Sequence, residues 1–286
     1  MIVPRYRILR HGADYSIGVW TCHHPPREAQ GEERSALHSI ALPTRGVYER
    51  VFGGSRDFID ATRVAFFNAA EPYEVLHPVE GGDTSTVIEL SATLVENLVS
   101  AGYEWTDTAS EPHFAVRSAP LPGRLFHRHR ALLHSLRKDH IDPLEVCQSV
   151  YCLIGDVLTE VGAHRAVSAR RLPSARQARI ERAAVFRALE FIHAHFRQPI
   201  TLARIAAAAA YSPFHFLRMF QREIGVPVHR YVIRLRLRIT YEEILDGPHD
   251  LSRIAFNTGF SSHSHMTESF RREFGLVPSQ VRSFRH

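Results

Sequence analysis

The sequence predicts an α+β chain of more than one domain. A β-rich front forms a small sandwich or barrel, a helical hairpin follows, and an all-α rear carries a helix-turn-helix twice. Three observations predict this. Short β-branched stretches alternate with turn signals through the first 118 residues. From residue 122 the apolar spacing changes to the helical period. In the last third the chain repeats itself. Leu202-Ala203-Arg204-Ile205-Ala206 returns as Leu251-Ser252-Arg253-Ile254-Ala255, and Ala210-Tyr211-Ser212 as Gly259-Phe260-Ser261. Phe220-Gln221-Arg222-Glu223 returns as Phe270-Arg271-Arg272-Glu273. Two copies are too few for a solenoid, and their length suits a duplicated helix-turn-helix.

In order along the chain, strands are expected over 17–22, 36–42, 46–52, 63–68, 73–76 and 84–90. The intervening turns are His24-Pro25-Pro26, Pro43-Thr44-Arg45-Gly46, Gly53-Gly54-Ser55 and Glu80-Gly81-Gly82-Asp83. A short helix is expected over 92–101. Leu125, Leu132, Leu133 and Leu136 keep a helical period, and so do Leu144, Val146, Val150, Leu153, Ile154, Val157 and Leu158 after Asp142-Pro143, an N-cap and an N1 proline. Residues 163–182 are small and basic and suit a linker that turns helical at its end. The expected domains are therefore 1–120, a hairpin over 121–162, the linker over 163–182 and the repeated helical domain over 183–286.

The rear helices have readable ends. Thr201 and Asp250 cap the first helix of each copy. Ser212-Pro213 opens the second helix of the first copy, and Ser261 or Ser262 that of the other. Gly225 and Gly275 close these helices. A long helix from Pro227 to the Asp246-Gly247-Pro248 stop joins the copies. Gly259 suits a turn with positive φ, and Ala210 stands at the matching site of the first copy.

Charge separates front from rear. Residues 1–162 carry a net −6, residues 163–180 a net +5 and residues 181–286 a net +6. An acidic front and a basic rear point to a polyanion partner for the rear. A single lysine, Lys138, reflects a preference for arginine that leaves the asymmetry unexplained. No stretch approaches the roughly 20 apolar residues of a membrane span, and the opening residues lack an apolar signal core, so a cytoplasmic chain without a membrane partner is expected. Cys22, Cys147 and Cys152 form no CxxC pair and read as reduced thiols.

At about 100° per residue, Phe216, Met219, Phe220 and Glu223 share one side of the first reading helix, and Phe214, Leu217, Arg218 and Gln221 share the other. In the second, Met266, Ser269 and Phe270 face inward, while Ser264, Thr267, Glu268 and Arg271 face outward with His263 near the start. An outward face of this kind enters a major groove of double-stranded DNA, its first residues nearest the base edges. Arg218 suits a bidentate contact to guanine, and Phe214 and Leu217 suit thymine methyls. His263, Ser264 and Thr267 can read bases, and Glu268 can accept from cytosine N4. Arg222, Arg271 and Arg272 suit phosphates. The long helix would hold the heads about 34 Å apart, in successive grooves.

From these residues the rear resembles the AraC/XylS family of bacterial transcription regulators over residues 184–285. Residues 251–278 match its signature of an Ile-Ala unit, a Gly-Phe turn, a helix with spaced phenylalanines and a closing Gly-x-x-Pro. Residues 212–220 match its first reading segment. The resemblance implies DNA contacts from Phe214, Leu217 and Arg218 and from His263, Ser264, Thr267 and Glu268. This chain departs from the pattern at Glu268, where a basic residue is usual, and at Met266, where an aromatic is usual. More loosely, residues 66–83 resemble a stretch of the cupin-like sensor domain of one branch. That implies a small barrel binding a small-molecule effector, a dimerising hairpin, a homodimer, contact with RNA polymerase, and activation of transcription.

No metal centre, cofactor or enzymatic activity is expected. The front contains no HxH pair, and His127/His129, His193/His195 and His263/His265 fall on expected helices, where residues two apart diverge. Cys22, His24 and His77 are the one zinc set worth naming, while His77-Pro78 otherwise shapes a strand end. There is no GxSxG, HExxH or phosphate loop. A cupin-type metal-dependent enzyme with a DNA-binding appendage, and a constitutive DNA binder with a vestigial sensor, remain as alternatives.

Overall fold

A computed structural model describes residues 5–23, 31–53, 55–103, 105–108, 111–114, 116–137, 142–168, 175–247 and 249–282. The chain divides into two compact units, Met1–Ala169 and Arg170–His286. Among the described residues no helix is long and apolar enough to cross a membrane.

The first unit runs β1 (Arg5–His11), β2 (Tyr15–Cys22), β3 (Glu33–Arg34), β4 (His38–Phe52), β5 (Ser55–Asp60), β6 (Arg63–Phe67), β7 (Pro72–Leu76) and β8 (Asp83–Leu90). It continues with α1 (Ala92–Ser100), β9 (Trp105–Thr108), β10 (Glu111–Phe114), β11 (Ser118–Pro120), α2 (Gly123–Ser135) and α3 (Pro143–Ser168). The main sheet is antiparallel in the order β1-β2-β8-β4-β6-β11, with β5 and β7 also on β4 and β3 on β7. Its outer strands, β1 and β11, pair with β2 and β6. Among the described residues the sheet is therefore open, and the closed barrel, one of the two architectures the sequence predicts, is not formed.

The reason lies in β4. Pro43-Thr44-Arg45-Gly46, expected as a turn, lies inside this 15-residue strand. The register against β8 slips between Pro43 and Arg45. Gly46 takes φ 73°, and a Cβ there would stand 1.9 Å from the Gly82 carbonyl oxygen. Proline and glycine mark a bulge here, not a reversal. Before it β4 pairs with β6, and after it with β5 and β7, so one strand changes neighbours across the bulge.

Alternation along β8 separates two faces. Asp83, Ser85, Val87 and Glu89, with Trp20, Ser39 and Ala41, line a cavity of about 430 Å³ that the Tyr6, Tyr48, Phe67 and Tyr73 rings also line. Ile88 and Leu90, with Ile17, Ile40 and Leu42, are buried on the other face. There the buried His129 ring of α2 sits 2.7 Å from Thr86 Oγ1. Burial, helped by Arg130, holds its pKa well below the usual histidine value, so the ring is neutral. The hairpin's expected apolar residues are buried, save Leu136, which is half-buried, and Leu144 in the first turn of α3, which is 72% exposed. Arg124–Glu160 and Arg128–Asp156 ion pairs join the two helices.

His77 is fully buried, with Nε2 2.8 Å from Asp83 Oδ1. Burial alone would lower its pKa, but hydrogen bonds with Asp83 and Cys22 outweigh it and carry it up to about 9. His24, weighed as a metal ligand, lies outside the described residues.

The second unit is all helix: α4 (Ala175–His195), α5 (Leu202–Ala208), α6 (Pro213–Ile224), α7 (Val228–Asp246), α8 (Leu251–Asn257), α9 (His263–Phe274) and α10 (Pro278–Arg282). Of residues 163–182, the first six continue α3 and the last eight open α4; the six between lie outside the described residues. Helix α4 packs on α5 and α6, and α7 packs on α8, α9 and α10. The halves are locked by arginines on backbone carbonyls. Arg236 donates from α7 to the Phe196 oxygen at 2.8 Å and the Gln198 oxygen at 3.0 Å. In return Arg197 donates to Glu243 Oε1 and to the Asn257 oxygen, both at 2.8 Å.

Candidate nucleic-acid interface

Each copy is a short helix, a tight turn and a longer second helix. Thr201 and Asp250 cap α5 and α8 by accepting from Arg204 N and Arg253 N. Ala206 and Ala255, small residues that allow a close helix approach, are buried. The turns share one hydrogen-bond pattern. Ala210 N donates to Ala207 O and Tyr211 N to Ala206 O, while Gly259 N donates to Phe256 O and Phe260 N to Ala255 O. This is the Schellman arrangement, which needs a left-handed residue. Gly259 supplies it at φ 86°, and Ala210 adopts it at φ 61°.

The buried sides of α6 and α9 agree with their expected periodicity. Phe216, Met219, Phe220, Met266 and Phe270 are buried, and Ser269 nearly so. Glu223 and Glu273 are each held by arginine from the preceding long helix. Arg182 of α4 bonds Glu223, while Arg234 and Arg238 of α7 lie 3.3 and 3.4 Å from Glu273. Gly225 and Gly275 close the helices at φ 85° and 79°.

The opposite sides face solvent. On α6, Phe214 is 70% exposed and Leu217 37% exposed, and Arg218 and Gln221 are exposed. The Arg218 guanidinium lies 4.7 Å from the centre of the Phe214 ring, a cation–π contact that extends it along the outward face. Arg222 is partly exposed but paired with the buried Glu181 of α4, a partner 41 residues away that α6 alone could not reveal. On α9, His263, Ser264, Glu268, Arg271 and Arg272 are exposed and Thr267 is half-buried. His263, Ser264, Thr267, Glu268 and Arg271 share one shallow concavity with Val277. Glu268 Oε1 accepts from Arg272 at 2.7 Å, a pair four residues apart on one helix face. His263 Nε2 lies 3.3 Å from Thr267 Oγ1.

A helix-turn-helix domain family matches residues 205–283, spanning both copies. The C-terminal unit therefore carries a helix-turn-helix domain that includes both copies. Similar curated proteins are regulators. The chain is 27% identical over 162 residues to the "Probable transcriptional regulator LumQ" of Photobacterium leiognathi, covering 55% of this chain and 60% of that protein. It is 30% identical over 97 residues to the HTH-type transcriptional activator RhaS of Escherichia fergusonii, covering 34% and 35%. The chain thus spans less than two thirds of the length of either relative. A solved Chromobacterium violaceum transcriptional regulator with an AraC-type DNA-binding domain aligns at 23% identity and a TM-score of 0.35, over 36% of this chain and 93% of that one. The helix-turn-helix domain holds both outward faces on one frame through its arginine joint.

Proposed function

We propose that the chain is a sequence-specific DNA-binding regulator of transcription that reads double-stranded DNA with α6 and α9. One observation carries this: two helix-turn-helix copies locked by Arg197 and Arg236 leave the outer faces of both second helices open. Two rigidly spaced helices suit successive major grooves on one DNA side. Phe214, Leu217, Arg218, Gln221, His263, Ser264, Thr267 and Glu268 are assigned to bases, and Arg222, Arg271 and Arg272 to phosphates.

The front unit is assigned as a cupin-like effector sensor, its ligand space the aromatic-lined cavity of about 430 Å³, a volume suited to a small molecule. The α2–α3 hairpin is assigned as the homodimer contact. Activation through RNA polymerase is the direction favoured, since RhaS is named an activator. The chain would act in the cytoplasm. Genome-wide mapping of bound sites, followed by footprinting, tests the reading. The expected result is protection of two grooves about one helical turn apart. Equal affinity for operator and random DNA would overturn it.

A further inference from the structure

Outside the reading heads, one group of side chains is arranged as a metal centre. Cys22 ends β2 and Asp83 begins β8, and the two are register partners across that ladder. Directly opposed residues project to the same side of a sheet. His77 arrives from the segment after β7. One ring nitrogen of His77, Cys22 Sγ and an Asp83 carboxylate oxygen all lie within 4.8 Å of one another. The residues are 0%, 1% and 5% exposed.

The backbone holds this convergence tightly. Gly82 takes φ 65°, and a Cβ there would stand 1.9 Å from the Cys22 carbonyl oxygen. Gly46, whose own Cβ would strike Gly82, is the register partner of Asp83 on β4. Three chain segments meet where only glycine fits, so the ligand atoms are placed by the sheet. Ser85 Oγ donates to Asp83 Oδ2 at 3.0 Å and orients the carboxylate from behind, as outer partners do for metal ligands.

A thiolate, an imidazole and a carboxylate form the mixed donor set of a zinc site with three protein ligands. Two anionic ligands also balance a dication, which lets the charges stay buried. We propose that Cys22, His77 and Asp83 bind one zinc ion in the wall of the front unit. Asp83 and Ser85 also line the cavity, so the ion sits beside that space whatever the cavity holds. The expectation of no metal came from the missing HxH pair. This set is drawn from three separate segments, which no short spacing displays.

The test uses the full chain with Cys147→Ser and Cys152→Ser, leaving Cys22 as its single thiol. After exchange into cobalt(II) and removal of excess metal, about one equivalent should remain. A near-ultraviolet thiolate-to-cobalt band and visible bands of four-coordinate cobalt should accompany it. Further Cys22→Ser should remove the thiolate band, and His77→Ala should lower retained metal at least tenfold. If these variants misfold by circular dichroism, the single-thiol parent still decides, because only Cys22 can produce its thiolate band. A folded parent that retains no metal, or retains it without that band through surface histidines, overturns the proposal. Retention unchanged in a folded His77→Ala protein overturns it as well.

Discussion

On α6 the outward face is a ring, an aliphatic side chain and a guanidinium, with Phe214, Leu217 and Arg218 in reach of one another along the helix. On α9 the same positions hold Ser264, Thr267 and Glu268, and the acid draws in Arg272. Beneath these faces the copies agree. Phenylalanine stands at 220 and 270, glutamate pinned by arginine at 223 and 273, and left-handed glycine at 225 and 275. Duplication has kept what packing requires and left the solvent side free to diverge. The first head offers apolar contact and an extended cation. The second offers small polar groups and a cation already engaged by Glu268, which on the proposed reading makes it the more selective or the weaker of the two heads.

The buried turns differ too, and there the largest effect is expected. Gly259 lies against the joint between the halves, where a Cβ would stand 2.6 Å from the Phe196 oxygen and 2.9 Å from Arg236 Nε. The left-handed conformation and the overpacking together put Gly259→Ala at about 2–5 kcal/mol of lost stability. Hydrogen exchange should show α8 and α9 opening more readily. A loss under about 1 kcal/mol there would mean that the joint yields, and that the heads are less rigidly spaced than Arg197 and Arg236 imply.

The outward faces come next. Arg218→Ala should cost about 1–3 kcal/mol on the cognate site and relax preference at one base pair. Competition against single-base variants measures this, and an unchanged ranking of bases would remove Arg218 from the reading set. Arg272→Ala should weaken binding to all sequences alike and reduce the salt slope by about one. Glu268→Gln should shift affinity the opposite way, by freeing Arg272 and removing an anion from beside the phosphates. If Glu268→Gln instead weakens one sequence selectively, the acid reads a base, and the second head owes its specificity to it.

Caps separate the copies by less. Ser262 accepts from His265 N at 3.1 Å, whereas Ser212 makes no side-chain cap bond and relies on Pro213. Ser262→Ala should therefore cost about 1 kcal/mol and Ser212→Ala only a few tenths. Equal losses in thermal unfolding would show that the caps do not distinguish the heads.

These differences were unevenly readable in the sequence. Helix ends, buried faces and outward sets followed from caps and from the 100° rotation, because each lies within one local segment. Strands β1 and β5 went unread, since Arg5–His11 and Ser55–Asp60 are charged and lack a clean alternation. Pro43 and Gly46 carry the residue types of both a turn and a bulge, and only pairing with β8 decides between them. In the candidate interface, Glu268 and Arg272 were readable from their spacing, but the Arg222–Glu181 pair depends on how α4 packs against α6. Asp83 joins Cys22 and His77 only through the β2–β8 register.

The first turn carries a conformational cost that the second avoids. Ala210 is exposed, so no packing clash accompanies its positive φ. The left-handed conformation of an alanine costs about 1–2 kcal/mol, and replacing it by glycine returns about 0.4–1 kcal/mol of that to the unfolded chain's entropy. Ala210→Gly should thus stabilise the first head by about 0.5–1 kcal/mol, read as slower exchange in α5 and α6 with DNA affinity unchanged. A gain in stability that weakens binding would mean that the stiffer alanine turn sets the angle of α6. The two turns would then differ for function as well as for packing.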